Sequence, residues 1–245
     1  MRRISILLVD DHTVVRQGLH SLLEGETDIA VVGEAQNGRE ALELAKKTLP
    51  DVVLMDLAMP ILNGVEATRR ILKNLPDTKV LALSSYGDDD YVAQFMQVGG
   101  HGYLVKQTAA DDLIKAIREV QRGNRFFSPS VAKRLRQQRR DTLGHGESAA
   151  RTGTLTSREC EVLQLIAEGF ANKQVAAELS ISIKTVEKHR QQVMNKLDIH
   201  DIARLTRYAI ARGWVEASAP SSPEGPRACP RSLAGTAGCP TPAHS

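Results

Sequence analysis

Over the first 122 residues, short apolar runs alternate with amphipathic stretches. Ile4–Val9, Ile29–Gly33, Val52–Met55, Val80–Leu83 and Gly102–Val105 are too short for helices and nearly continuous in apolar character, the pattern of parallel strands buried on both faces. Between and after them, apolar positions recur at helical spacing over His12–Leu23, Gly38–Lys46, Val65–Asn74, Asp89–Val98 and Asp111–Arg122. Five strands alternating with five helices predict an α/β unit with a five-stranded parallel sheet covered by helices. The punctuation agrees. Asn37 stands three residues before Glu40 in a capping-box arrangement, Asp88 to Asp90 place negative charge at a helix start, and Gly99-Gly100 stop that helix.

From Gly123 to Thr154 the pattern fades into basic, Gln-rich and Gly/Ser-containing sequence, with a short helix expected over Ser130–Arg140. Periodicity then returns as four helices and no strand: Ser157–Glu168, Lys173–Leu179, Ile183–Leu197 and Ile202–Arg212. Thr156 with Glu159 forms a capping box, and Gly169 and Gly213 end the first and last of these helices. Beyond Ala217 six prolines and many small residues cannot bury enough surface to offset ordering entropy, so a disordered tail is expected. The chain therefore divides into an α/β domain over 1–122, a linker over 123–154, an all-α domain over 155–216 and a tail over 217–245.

Composition changes this picture little. The net charge of +3 is too small to argue for nucleic acid. Its distribution says more, because Arg125, Lys133, Arg134, Arg136, Arg139 and Arg140 form a run with no acidic residue. That run attracts phosphate near DNA and otherwise serves as a solvated linker. Cys160 falls at an apolar helical position, while Cys229 and Cys239 lie in the tail; together they form neither a metal cluster nor a disulfide framework. With no signal-peptide pattern and no membrane-length apolar run, a cytoplasmic protein is expected.

Candidate chemistry collects where the strands end. Asp10 and Asp11 follow the first strand, Asp56 the third, Ser84 the fourth and Lys106 the fifth. In an open parallel sheet these positions converge on one crevice. Three carboxylates there repel one another unless a cation intervenes, and oxygen ligands with room for water suit Mg²⁺. Asp10 and Asp11 are candidate metal ligands, with a carbonyl from Leu57 as an addition. Asp56 is the candidate nucleophile toward phosphorus, forming an acyl phosphate, with Lys106 pairing with the phosphoryl group and Ser84 hydrogen-bonding one of its oxygens.

Asp10-Asp11, Met55-Asp56 followed by Met59-Pro60 and Gly64, then Ser84, then Tyr103-Leu104-Val105-Lys106 resemble the receiver domain of two-component response regulators over residues 3 to 122. The resemblance implies a flavodoxin-like (βα)5 fold, phosphorylation of Asp56 by a sensor histidine kinase, and metal ligation by Asp10 and Asp11. It also makes Ser84 and Tyr103 a switch pair, in which the hydroxyl moves to the phosphoryl group and the ring turns inward. Gln107 stands where many receivers carry proline, which alters how stiffly the loop presents Lys106.

In the second domain the Ile183–Leu197 helix carries Lys184, Lys188, His189, Arg190, Gln191 and Gln192 outward, with Val186, Val193 and Leu197 at core spacing. With Lys173–Leu179 and the Ser180-Ile181-Ser182 turn, it fits a helix-turn-helix in which Ser182 caps the recognition helix near phosphate. A plain helical interaction module fits the spacing as well. Leu155-Thr156-Ser157-Arg158-Glu159, Ile166-Ala167-Glu168-Gly169, Lys184 to Arg190 and Met194-Asn195-Lys196-Leu197 further resemble the LuxR-type DNA-binding domain. With the receiver, they place the chain among NarL/FixJ-class response regulators.

This resemblance implies a homodimer on double-stranded promoter DNA, with RNA polymerase as a further partner. Thr185, Lys188 and His189 are put on the DNA side, with Lys184, Arg190, Gln191 and Lys196 as further candidates and Asn172 and Lys173 at the backbone. The protein is expected to be no enzyme beyond self-phosphorylation and slow self-dephosphorylation. Three alternatives remain open: a phosphorylation-independent regulator whose receiver only dimerises, a Mg²⁺-dependent phosphohydrolase, and an RNA-binding antiterminator.

Overall fold

The computed structural model describes residues 3–84, 89–128, 131–132, 155–212 and 214–215. Most of the expected Ser130–Arg140 helix, residues 129–130 and 133–154 of the linker, Asp88, Gly213, Cys229, Cys239 and the tail from residue 217 lie outside the described residues.

The elements of the α/β domain run β1 (Ile4–Val9), α1 (Thr13–Glu24), β2 (Ile29–Ala35), α2 (Gly38–Thr48), β3 (Val52–Asp56), α3 (Gly64–Asn74), β4 (Lys79–Ser84), α4 (Asp89–Gln97), β5 (Gly102–Val105), α5 (Ala110–Gln121) and β6 (Phe126–Phe127). The strands pair in parallel in the order β2-β1-β3-β4-β5-β6. Alternation along each strand divides the core. Leu7, Val9, Val53, Met55, Val80 and Ala82 pack with α2, α3 and α4, while Ile6, Leu8, Val52, Leu54, Leu81 and Leu83 pack with α5 and Leu23 of α1. At about 25 cal/mol per Å² of apolar area, burial on both faces is the main stabilising term of this sheet.

The sheet has six strands where the sequence predicts five. β6 is only two residues long, too short for any periodicity to register. It pairs with Gly102 and Tyr103, and Ser128 N donates to Tyr103 O at 3.0 Å. Val131 then inserts into the core of the α/β domain, so the stretch assigned to the linker begins as part of that domain.

The helical domain comprises α6 (Ser157–Ala167), α7 (Asn172–Glu178), α8 (Ile183–Leu197) and α9 (Ile202–Ala211). The Thr156 and Glu159 capping box forms as expected. Gly169 at φ +92 ends the α6 segment, and Ser180 at φ +52 turns α7 into α8. α6 is the central helix of this domain. Its Leu163 packs with Val193, Leu197, Leu205 and Trp214, and its Val162 and Leu165 pack with Val175 and Val186. Among the described residues no helix is long and apolar enough to cross a membrane.

Candidate functional site

The order β2-β1-β3 reverses the direction of winding between β1 and β3, which opens a crevice at their carboxyl ends. Asp10 leaves β1 into it, and Asp56 is the last residue of β3. Both are buried, at 2% and 3% exposure, so neither is an ordinary surface acid. Lys106 Nζ lies between them, 2.6 Å from Asp56 Oδ2 and 2.8 Å from Asp10 Oδ2. Lys106 N in turn donates to Ser84 O at 2.9 Å, which ties the end of β5 to the end of β4. Buried Arg16 reaches from α1 to hold this corner, donating to Asp10 O at 2.7 Å and to Glu34 at 2.9 Å.

Burial pushes the Asp56 carboxyl up to about 6; Lys106 opposes that shift, and Asp10 and Asp11 reinforce it. Burial alone would lower the Lys106 ammonium, but the Asp56 and Asp10 carboxylates outweigh it and hold the group above its ordinary value. Asp10, Asp11, His12 and Asp56 bring ligand atoms within 4.8 Å of one another. Asp10 Oδ2 and Asp11 Oδ1 are shielded from solvent, and their near neighbours are Lys106 Nζ at 2.8 Å and His12 Nδ1 at 2.9 Å. Three carboxylates converging against one lysine, an excess of negative charge on oxygen ligands, fit a hard divalent cation such as Mg²⁺.

The folded value near 6 lies above the ordinary 3.8, so charging Asp56 opposes folding. The penalty is complete above pH 6 and vanishes as pH falls through 6 toward 4, where folding protonates the group. Metal-free protein is therefore expected to gain up to about 3 kcal/mol as pH drops through that window, a gain that Asp56→Asn lacks. Thermal unfolding in chelator from pH 4.5 to 7.5 reads both curves.

On the helical domain, Ser182 accepts from Thr185 N at 3.1 Å and caps α8. Lys173, Lys184, Lys188 and Gln191 are exposed; Asn172, Thr185, His189 and Arg190 are half-buried. The basic and amide face of α8 is thus open to a ligand.

The receiver region, residues 6–118, matches the family described as response regulator receiver domain, and residues 153–209 match the bacterial regulatory proteins of the luxR family. The transcriptional regulatory protein LiaR of Bacillus subtilis is 42% identical over 206 residues, covering 84% of this chain and 96% of LiaR. The chain belongs to the LuxR-type response regulators. Among solved structures, the RcsB response regulator of Salmonella typhimurium is 28% identical with a TM-score of 0.53, covering 86% of this chain and 100% of RcsB. A structure of two RcsB dimers bound to two parallel DNAs aligns at 26% identity and TM-score 0.53, over 86% of this chain and 99% of that one.

Within this response regulator the fold brings Asp10, Asp11, Asp56 and Lys106 together, with Ser84 buried at the end of the adjoining strand. Two expected roles meet competing contacts. The Leu57 carbonyl accepts from Gly64 N at 2.9 Å, which leaves one lone pair for any ion. Lys196 places its ammonium 2.7 Å from buried Glu159, so its charge neutralises the α6 cap instead of standing free for phosphate. Tyr103 is wholly buried, its ring edge-on to Phe95 with centroids 6.1 Å apart. Burial pushes the Cys160 thiol up to about 12, so it is neither nucleophile nor ligand at neutral pH. Sequence reasoning missed Arg16, whose only signal is its place in the first turn of α1, five residues beyond the acid pair.

Proposed function

We propose that Asp56 accepts a phosphoryl group from a sensor histidine kinase or a small acyl phosphodonor, with Mg²⁺ held by Asp10, Asp11 and Asp56. Bound there, the ion neutralises repulsion between carboxylate and phosphoryl oxygens. Asp56 is ionised above about pH 6, so its carboxylate can serve as the nucleophile toward phosphorus. Lys106 can transfer its contact from the Asp56 carboxylate to a phosphoryl oxygen without moving far, and Ser84 lies at the strand end beside it. The observation that carries this reading is the lysine clamped between two buried aspartates, a costly arrangement that an incoming anion with its cation would relieve.

The phosphorylated receiver then favours pairing of two DNA-binding domains on promoter DNA, each presenting α8 to the major groove. Regulators of this family bind DNA and form dimers, as the RcsB assemblies illustrate. Lys184 and Lys188 contact phosphates, while Thr185, His189, Arg190 and Gln191 read base edges. Replacing Lys184 or Lys188 by Ala is expected to weaken binding uniformly across DNA sequences and to reduce the salt slope of the affinity by about 1 each. Anisotropy titrations of a selected duplex at 50 to 300 mM salt would check this; an unchanged slope would remove both residues from the interface.

A further inference from the structure

The acid pair stands on a turn with little of its own to hold it. α1 starts at Thr13, its cap residue His12 makes no side-chain cap bond, and its first turn carries no acidic residue. In place of a cap, Asp10 Oδ1 accepts from His12 N at 2.8 Å, so a proposed metal ligand also holds the start of the helix. With one oxygen committed to the turn, the direction of the other follows the Asp10 backbone.

That backbone is held from both sides by the end of β2. Asp10 N donates to Ala35 O at 3.1 Å. Asp10 O accepts from Arg16 Nη1 at 2.7 Å, and Arg16 Nε donates at 2.9 Å to Oε2 of Glu34, the residue before Ala35. Asp10, Arg16, Glu34 and Ala35 thus close a ring that ties the β1–α1 turn to the neighbouring strand. Arg16 N donates to His12 O at 3.0 Å, so the same residue begins the helix ladder. Two separate nitrogens of one rigid guanidinium make the two side-chain bonds, a geometry that an ammonium cannot reproduce. Arg16 is buried, and half-buried Glu34 neutralises it. Without that partner a buried cation would repel a second cation held by Asp10.

Resting on the proposed Mg²⁺ site, we infer that Arg16, tied to Glu34, is a positioning residue for the metal. It fixes the Asp10 backbone, and through it the direction of the acid pair, while Glu34 keeps the guanidinium charge from opposing the ion. Neither side chain belongs to the group of ligand atoms that converge there. Their effect falls on Mg²⁺ affinity rather than on the attack of Asp56 on phosphorus, because Asp56 ends β3 and Lys106 is tied to the end of β4.

The test is a Mg²⁺ titration of the unphosphorylated full chain, followed by the backbone NMR shifts of Asp11 and Leu57, with exchange of the His12 amide measured in chelator. Arg16→Met keeps the apolar stem and removes both donors; it should weaken Mg²⁺ about tenfold and speed His12 exchange about as much. Arg16→Lys retains the charge on a single nitrogen and should stay at least about threefold weaker than wild type. Glu34→Gln should cost about threefold in the wild type and add nothing to Arg16→Met, since it acts through the same guanidinium. Arg118→Met breaks an ion pair with Asp28 at the other end of β2, 2.8 Å long, and should lower the melting temperature with Mg²⁺ affinity unchanged. Should Arg16→Met fail to fold, Arg16→Lys and Glu34→Gln carry the test. Phosphate incorporation in Arg16→Met should recover at saturating Mg²⁺; a rate that stays low there overturns the assignment to the metal. Affinity within about twofold of wild type in Arg16→Met overturns the inference and leaves the metal site intact. A wild type whose Asp11 and Leu57 shifts do not move with Mg²⁺ overturns the metal reading itself, and the inference with it.

Discussion

Asp56→Asn is expected to reduce incorporation of phosphate from a small acyl phosphodonor to background, at least about a hundredfold below wild type. The amide keeps the shape of the carboxylate but has no anionic oxygen to attack phosphorus. Asp10 and Asp11 are not expected to substitute, because Asp10 is held by Lys106 at 2.8 Å and both belong to the cation site proposed above. The folded protein should persist, since removing a carboxylate whose charging burial opposes does not weaken the metal-free receiver at neutral pH. Lys106 retains its 2.8 Å pairing with Asp10, so no buried ammonium is stranded. Intact-mass measurement before and after phosphodonor, with base lability to mark an acyl phosphate, reads the result. A labelled Asn variant would move the phosphoacceptor elsewhere.

Gly64→Ala should be the most damaging single methyl group in the receiver. A Cβ at residue 64 would lie 2.0 Å from Asp56 O and 2.8 Å from Leu57 Cα, and backbone cannot yield as a flexible side chain does. Gly64 N also holds Leu57 O at 2.9 Å, so α3 starts in direct contact with the phosphoacceptor strand. Accommodating the methyl means moving α3 off β3, with an expected loss of about 3 kcal/mol or more and a melting temperature lower by about 10 °C. Because that shift displaces Asp56 itself, phosphate incorporation should fall as well. A melting temperature within 2 °C of wild type would show that the helix start is softer than this packing implies.

Much of this was legible in the chain because two periodicities are distinct. Apolar runs such as Val52–Met55 lie between helical stretches, and once the sheet is parallel, residues at strand ends must meet. Asp10, Asp56 and Lys106 are 46 and 50 residues apart along the chain, yet topology alone brings them together. What escaped depends on partners that sequence distance hides. β6 has two residues and no pattern, and it exists because the open edge of β5 accepts them. Lys196 looks like a free cation on a DNA-binding helix until the fold sets it against Glu159, 37 residues earlier. Gln164 reads as one polar residue among many on an amphipathic helix; only docking against the β3–α3 loop buries it.

Whether a phosphoryl group on one buried aspartate governs DNA binding is tested most directly by affinity for a duplex carrying paired half-sites, selected with the wild-type full chain. It is measured with and without acetyl phosphate and Mg²⁺, in wild type and in Asp56→Asn. The account predicts tighter binding by about tenfold or more in the wild type, corresponding to roughly 1.4 kcal/mol, and no change in the variant. Equal enhancement in both proteins, or none in a wild type fully labelled at Asp56, would contradict it.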